Sequence, residues 1–146
     1  MPLLFLDVDG PLIPFGGPAY PSFPVDPGGN PLLSRVDPAL GPRLTALGCE
    51  LVWATTWMQD ANDAVAPLLG LPALPVLDWD DGKAPAIIDA AAGRPFVWLD
   101  DAITDADRAL VAAHHPGPAL AHRVDPRRGL TDVDFATVCA WLAHLA

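Results

Sequence analysis

Two carboxylates one residue apart, Asp7 and Asp9, close the apolar run Leu3-Leu4-Phe5-Leu6 and lead into Gly10. Residues i and i+2 of an extended segment point the same way, so both acids enter one small space and repel each other. A divalent cation is the usual remedy for this repulsion. Taken alone, Asp-Val-Asp-Gly is equally an ordinary polar turn, since Asp and Gly are turn formers. Two more apolar runs end in groups that can do chemistry: Glu50 to Ala54 stops at Thr55-Thr56, and Pro95 to Leu99 stops at Asp100-Asp101. Between them stands Lys83, the only lysine in the chain.

These groups meet only if the three runs are neighbouring parallel strands, because parallel strands are apolar almost throughout and open their ligand sites at their C-terminal ends. The rest of the chain supplies the crossovers. A helix is expected from Asp37 or Ser34 to Leu47, ended by Gly48; another from Asp60 to Leu69, closed by Gly70 and Pro72; a third from Lys83 to Ala92; a fourth from Thr104 to His114. Leu74 to Leu77 reads as a short third strand and Ala119 to Val124 as a fifth. The segment from Thr131 to Leu145 reads as an amphipathic closing helix with Val133, Val138, Trp141, Leu142 and Leu145 at helical spacing. The expected fold is therefore α/β: one three-layer, Rossmann-like domain over residues 1–146, with a parallel sheet of about five strands and helices on both faces. Residues 11–33, rich in Pro and Gly, cannot be a long helix and read as a flap at the strand ends, pinned by Phe15, Tyr20 and Phe23.

In order and chemistry the acid pair, the threonines, the lysine and the second acid pair resemble the haloacid dehalogenase-like hydrolase superfamily, over Leu3 to Asp105. Trp53-Ala54-Thr55-Thr56-Trp57 followed by Ala61-Asn62, with Trp98-Leu99-Asp100-Asp101, resembles the small capless domains of that superfamily associated with RNA-repair proteins. The resemblance implies a magnesium-dependent phosphatase. Asp7 would be the nucleophile that becomes an aspartyl phosphate, and Asp9 the acid and base. Thr55, or Thr56 in its place, would contact a phosphoryl oxygen, with Gly10 and Trp57 beside the substrate. Lys83 would balance charge. Magnesium would be held by Asp7, by the backbone carbonyl of Asp9 and by the second acid pair, Asp101 in preference to Asp100. Pro11 departs from the superfamily pattern, in which Thr or Val commonly follows the glycine.

The net charge of −10, from 18 acids against 8 bases, argues against extended binding to nucleic-acid backbone or to an anionic membrane. The expected substrate is a phosphorylated small nucleotide or a polynucleotide end. No apolar run approaches the roughly 20 residues that span a bilayer, and the start lacks a basic segment of secretory type, so a cytoplasmic protein is expected. Cys49 and Cys139 stand apart from any partner at metal-ligand spacing and are expected to pack as small apolar residues. Trp53, Trp57, Trp79 and Trp98 offer either stacking surfaces for a base or core volume. A competing reading is an inactive module that binds metal or phosphate as an accessory or regulatory partner; a phosphotransferase is a third. Oligomeric state is not legible.

Overall fold

The computed structural model describes residues 1–145. Four parallel strands, β1 (Leu3–Leu6), β2 (Glu50–Trp53), β3 (Phe96–Asp100) and β4 (Ala119–Arg123), lie in the order β2-β1-β3-β4. Leu6 of the central β1 is level with Trp53 on one side and Leu99 on the other. The alternation of side chains along each strand divides the core in two. Leu4, Leu6, Leu51, Trp53, Val97 and Leu99 face α1 (Leu40–Ala46), α2 (Ala66–Leu69) and α5 (Asp132–Ala143). Leu3, Phe5, Val52, Phe96 and Trp98 face α3 (Lys83–Ala91) and α4 (Asp105–His114). The fold is thus α/β with helices on both faces of one parallel sheet. No helix among the described residues is long and apolar enough to cross a membrane.

The expected third strand, Leu74 to Leu77, is not a strand of the sheet. It makes one parallel bridge, Val76 to Trp53, in which Trp53 N–H donates to the Pro75 carbonyl (2.9 Å) and Leu77 N–H to the Trp53 carbonyl (2.8 Å). Pro72 and Pro75 have no N–H to extend the ladder. The segment is held from its other side by a side chain: Asn62 Oδ1 accepts from Leu74 N–H and from the Trp53 indole, while Asn62 Nδ2 donates to the Leu74 carbonyl (2.8, 2.7 and 2.8 Å). The sheet therefore has four strands, with one bridged segment beyond β2.

Proline also explains the helix over 61–69, which begins as a π-helical turn (Ala61–Val65) and turns α-helical only at Ala66. Pro67 cannot donate to residue 63, and Ala66 N–H reaches back five residues to the Ala61 carbonyl. Before α1, residues Pro31–Arg35 form a separate 3-10 turn capped by Asn30. Of the two expected starts, Asp37 initiates the helical turn, accepting Ala39 N–H at 2.9 Å, whereas Ser34 donates back to Pro31. The backbones of α1 and α2 touch at Gly41, where a Cβ would run into the Leu69 carbonyl.

Thr104 and Thr131 close capping boxes with Asp107 and Asp134, and Asp105 stands in the first turn of α4 near its positive end. Val133, expected on the apolar face of α5, is 73% exposed; Val138 is buried as expected, Trp141 and Leu142 pack partly buried, and Phe135 joins them. Cys49 packs partly buried against the core as expected, but Cys139 is exposed on α5. The Pro/Gly-rich segment lies against the loop after β4 and the 3-10 turn: Phe15 N–H donates to the Pro126 carbonyl, Phe23 N–H to the Ser34 carbonyl, and Arg35 to the Pro14 carbonyl. Tyr20 is held under the Arg35 guanidinium, while Phe15 is 42% exposed and ties the segment down through its backbone N–H.

Candidate active site

Register and parity bring the acids together. Asp7 follows β1 and its N–H donates to the Leu99 carbonyl at 3.1 Å, which sets it beside Asp100, the last residue of β3. The parity that turns Phe5 and Trp98 towards α3 and α4 turns Asp7 and Asp100 the same way. Lys83 opens α3 on that face, with Nζ 2.6 Å from Asp100 Oδ2 and 3.6 Å from Asp7 Oδ2. Asp101 completes the group: Asp7, Asp100 and Asp101 each offer one carboxylate oxygen, all within 4.8 Å of one another. Three hard oxygen donors against a single ammonium suit a small divalent cation in their chemistry and charge.

The two acids of the second pair have different surroundings. Asp100 is 2% exposed and almost spent on protein partners: Oδ2 accepts from Lys83 and from the Trp98 indole (3.2 Å), and Oδ1 from Ala102 N–H (2.9 Å). Asp101 is half-buried against Gly10, where an added Cβ would lie 2.7 Å from the Asp101 Cβ. Gly10 has φ +100°, so both its conformation and the space it leaves require glycine. Its contribution is room for Asp101 at the mouth of the cluster. Burial first, and the neighbouring Asp100 carboxylate second, raise the Asp101 pKa.

Burial pushes the Asp7 carboxyl up to about 7. The Lys83 charge opposes that rise, Asp100 adds to it, and the Val8 N–H, 2.8 Å from Oδ1, and the Thr55 hydroxyl oppose it in smaller measure. Thr55 is fully buried, while Thr56 faces solvent, so of the two threonines Thr55 is the one built into the cluster.

Asp9 does not share the space of Asp7. Its carboxylate lies outside the group of three and accepts from Trp57 Nε1–H at 3.2 Å. The turn from Asp7 accounts for this: Leu12 and Ile13 N–H both donate to the Val8 carbonyl and Gly10 N–H to the Ile13 carbonyl, so the chain folds back and the i, i+2 parity of an extended strand is lost. Trp53 and Trp98 are core residues and offer no stacking surface. Trp79 packs over the Lys83 ammonium at 5.1 Å. Two partners escaped the sequence reading, Asn62 and the Trp98 indole; the second was legible, because Trp98 and Asp100 are i and i+2 on one strand. A cavity of about 440 Å³ lies elsewhere, between α4 and β4, and its lining contains no carboxylate. No family model matches this chain, and no curated protein or solved structure is significantly similar to it.

Proposed function

We propose that the chain is a magnesium-dependent phosphomonoesterase of the haloacid dehalogenase-like kind that works through an aspartyl phosphate on Asp7. The observation that supports it most is the meeting of Asp7, Asp100, Asp101 and Lys83, with Thr55 beside them, at the C-terminal ends of adjacent parallel strands. Two buried acids and a half-buried one around a single ammonium carry excess negative charge, which a cation offsets. Asp7, Asp101 and Asp100 would hold magnesium by their carboxylates and Asp9 by its backbone carbonyl; the ion would supply charge neutralisation for the phosphoryl oxygens.

The chain's own groups then have distinct tasks. Lys83 and Thr55 orient Asp7, whose carboxylate oxygen attacks phosphorus as the bond to the ester oxygen breaks. Asp9 gives its proton to that departing oxygen, and the aspartyl phosphate forms. Asp9, now a carboxylate, takes a proton from water as the water oxygen attacks phosphorus. The bond to Asp7 breaks, phosphate leaves, and both acids return to their first states. The site stands at open strand ends, which suits a phosphate on a nucleotide or on the end of an RNA, a substrate that brings its own bulk. The test is magnesium-dependent release of phosphate from p-nitrophenyl phosphate, repeated with Asp7→Asn. The wild-type protein is expected to turn over and the variant to lose at least a hundredfold; equal rates would remove the mechanism.

A further inference from the structure

Building on the phosphatase reading, we infer that Trp57 is a positioning residue: its indole holds Asp9, which the turn has already set outside the cation-binding trio, as the proton donor. Trp57 Nε1–H donates to Asp9 Oδ2 at 3.2 Å. The indole is itself fixed. Its ring packs against the core beneath α1, α2 and α5; its backbone N–H donates to Thr55 Oγ1 at 3.2 Å; and its carbonyl accepts from Asp60 N–H at 3.0 Å. Met58, next in the chain, has φ +50°, a left-handed conformation uncommon for a residue with a long side chain. Such strain persists where the surroundings over-determine the backbone, and it gathers at functional sites.

The turn from Thr55 to Met58 therefore carries the Trp57 indole onto Asp9, with the buried Thr55 holding the Trp57 backbone N–H. The separation matters chemically. An Asp9 carboxylate inside the trio would be a fourth metal ligand and could not carry a proton. Turned onto Trp57, its Oδ2 accepts the indole hydrogen, which fixes the carboxyl plane and leaves Oδ1 for the proton that the departing oxygen takes.

The test compares wild type with Trp57→Phe, which keeps a ring and removes the N–H, on two phosphomonoesters with magnesium present. p-Nitrophenolate departs without a proton, whereas the alkoxide from glycerol phosphate needs one; kcat/KM reports only the steps through formation of the aspartyl phosphate. The loss in kcat/KM is expected to be at least tenfold greater for glycerol phosphate than for p-nitrophenyl phosphate. Equal losses on the two esters would make Trp57 a packing or substrate-contact residue and overturn the inference. A readout independent of turnover is the Trp57 indole resonance of the metal-free, nitrogen-15-labelled protein. Its proton should exchange slowly, then shift upfield and exchange faster in Asp9→Ala; a resonance indifferent to that change also overturns the inference. If wild type turns over neither ester, the phosphatase reading fails first and this inference falls with it.

Discussion

Asp7 is costly to the metal-free fold, and Asp7→Asn should therefore raise stability while abolishing turnover. The carboxyl rises from 3.8 to about 7 on folding, with desolvation as the main cause and Asp100 adding to it against Lys83. For an acid raised in this way, the folded state binds the extra proton between the two values. Stability is then highest below about pH 4 and is lost progressively as pH rises through 7. A shift of roughly 3 units corresponds to about 4 kcal/mol once Asp7 is fully ionised, at about 1.4 kcal/mol per unit. An amide in its place carries no charge, but it satisfies only one of the two neighbours at 2.8 and 3.6 Å, the Val8 N–H and the Lys83 ammonium. That mismatch takes back about 1 kcal/mol, leaving a gain of roughly 3 kcal/mol at pH 8 and none near pH 4. For a chain of this length the gain is on the order of 10 °C in Tm. The assay is thermal and urea unfolding in EDTA from pH 4 to pH 8.5, followed by magnesium titration. Magnesium should stabilise wild type increasingly as pH rises towards 8, because ion and proton compete for Asp7, and should stabilise the variant much less. A variant less stable than wild type at pH 8, or a difference independent of pH, would refute the account of Asp7 as a buried and strained charge.

Lys83→Met leaves Asp100, 2% exposed, without its 2.6 Å cation; the metal-free protein should lose about 3–5 kcal/mol at pH 8 by urea unfolding and recover part of it on adding magnesium. Asn62→Ala removes four hydrogen bonds at once, to Trp53, Gln59 and both backbone groups of Leu74, and strands the buried Trp53 indole. The expected loss is about 2–3 kcal/mol, with amide-exchange protection at Leu74 and Leu77 falling before that of β1 or β3.

The strands that carry the acids were legible because each is a nearly unbroken apolar run of the kind that only a two-faced sheet buries, and because alternation fixes which side chains share a face. Asp7 and Asp100 follow from that parity, and Lys83 from a crossover helix that starts on the same face. Asp9 did not, since i, i+2 reasoning holds only while the chain stays extended, and the turn at Val8 to Ile13 ends that. Leu74 to Leu77 has the composition of a strand but lacks the N–H groups for one at Pro72 and Pro75. The π-helical turn was likewise hidden, because Pro67 acts on a hydrogen bond that closes several residues earlier. Val133 sits at helical spacing with the buried positions of α5, yet it lies in the first turn and outside the contact with the sheet. The choice between Thr55 and Thr56 needed burial, which spacing does not carry.

The bridged segment beside β2 has a consequence for how the protein behaves in company. A parallel sheet presents unpaired backbone groups at its rim, and such a rim recruits strands from other molecules. Here Pro75 and Leu77 turn their carbonyl and N–H inward to Trp53, so by alternation the N–H and C=O of Leu74 point outward, and Asn62 takes both. One carboxamide thus pairs Leu74 as a neighbouring strand would, while presenting no ladder of its own. On this side the Asn62 side chain occupies the outward backbone groups of Leu74, which shortens the stretch of rim that a foreign strand could pair with to the groups around Val76.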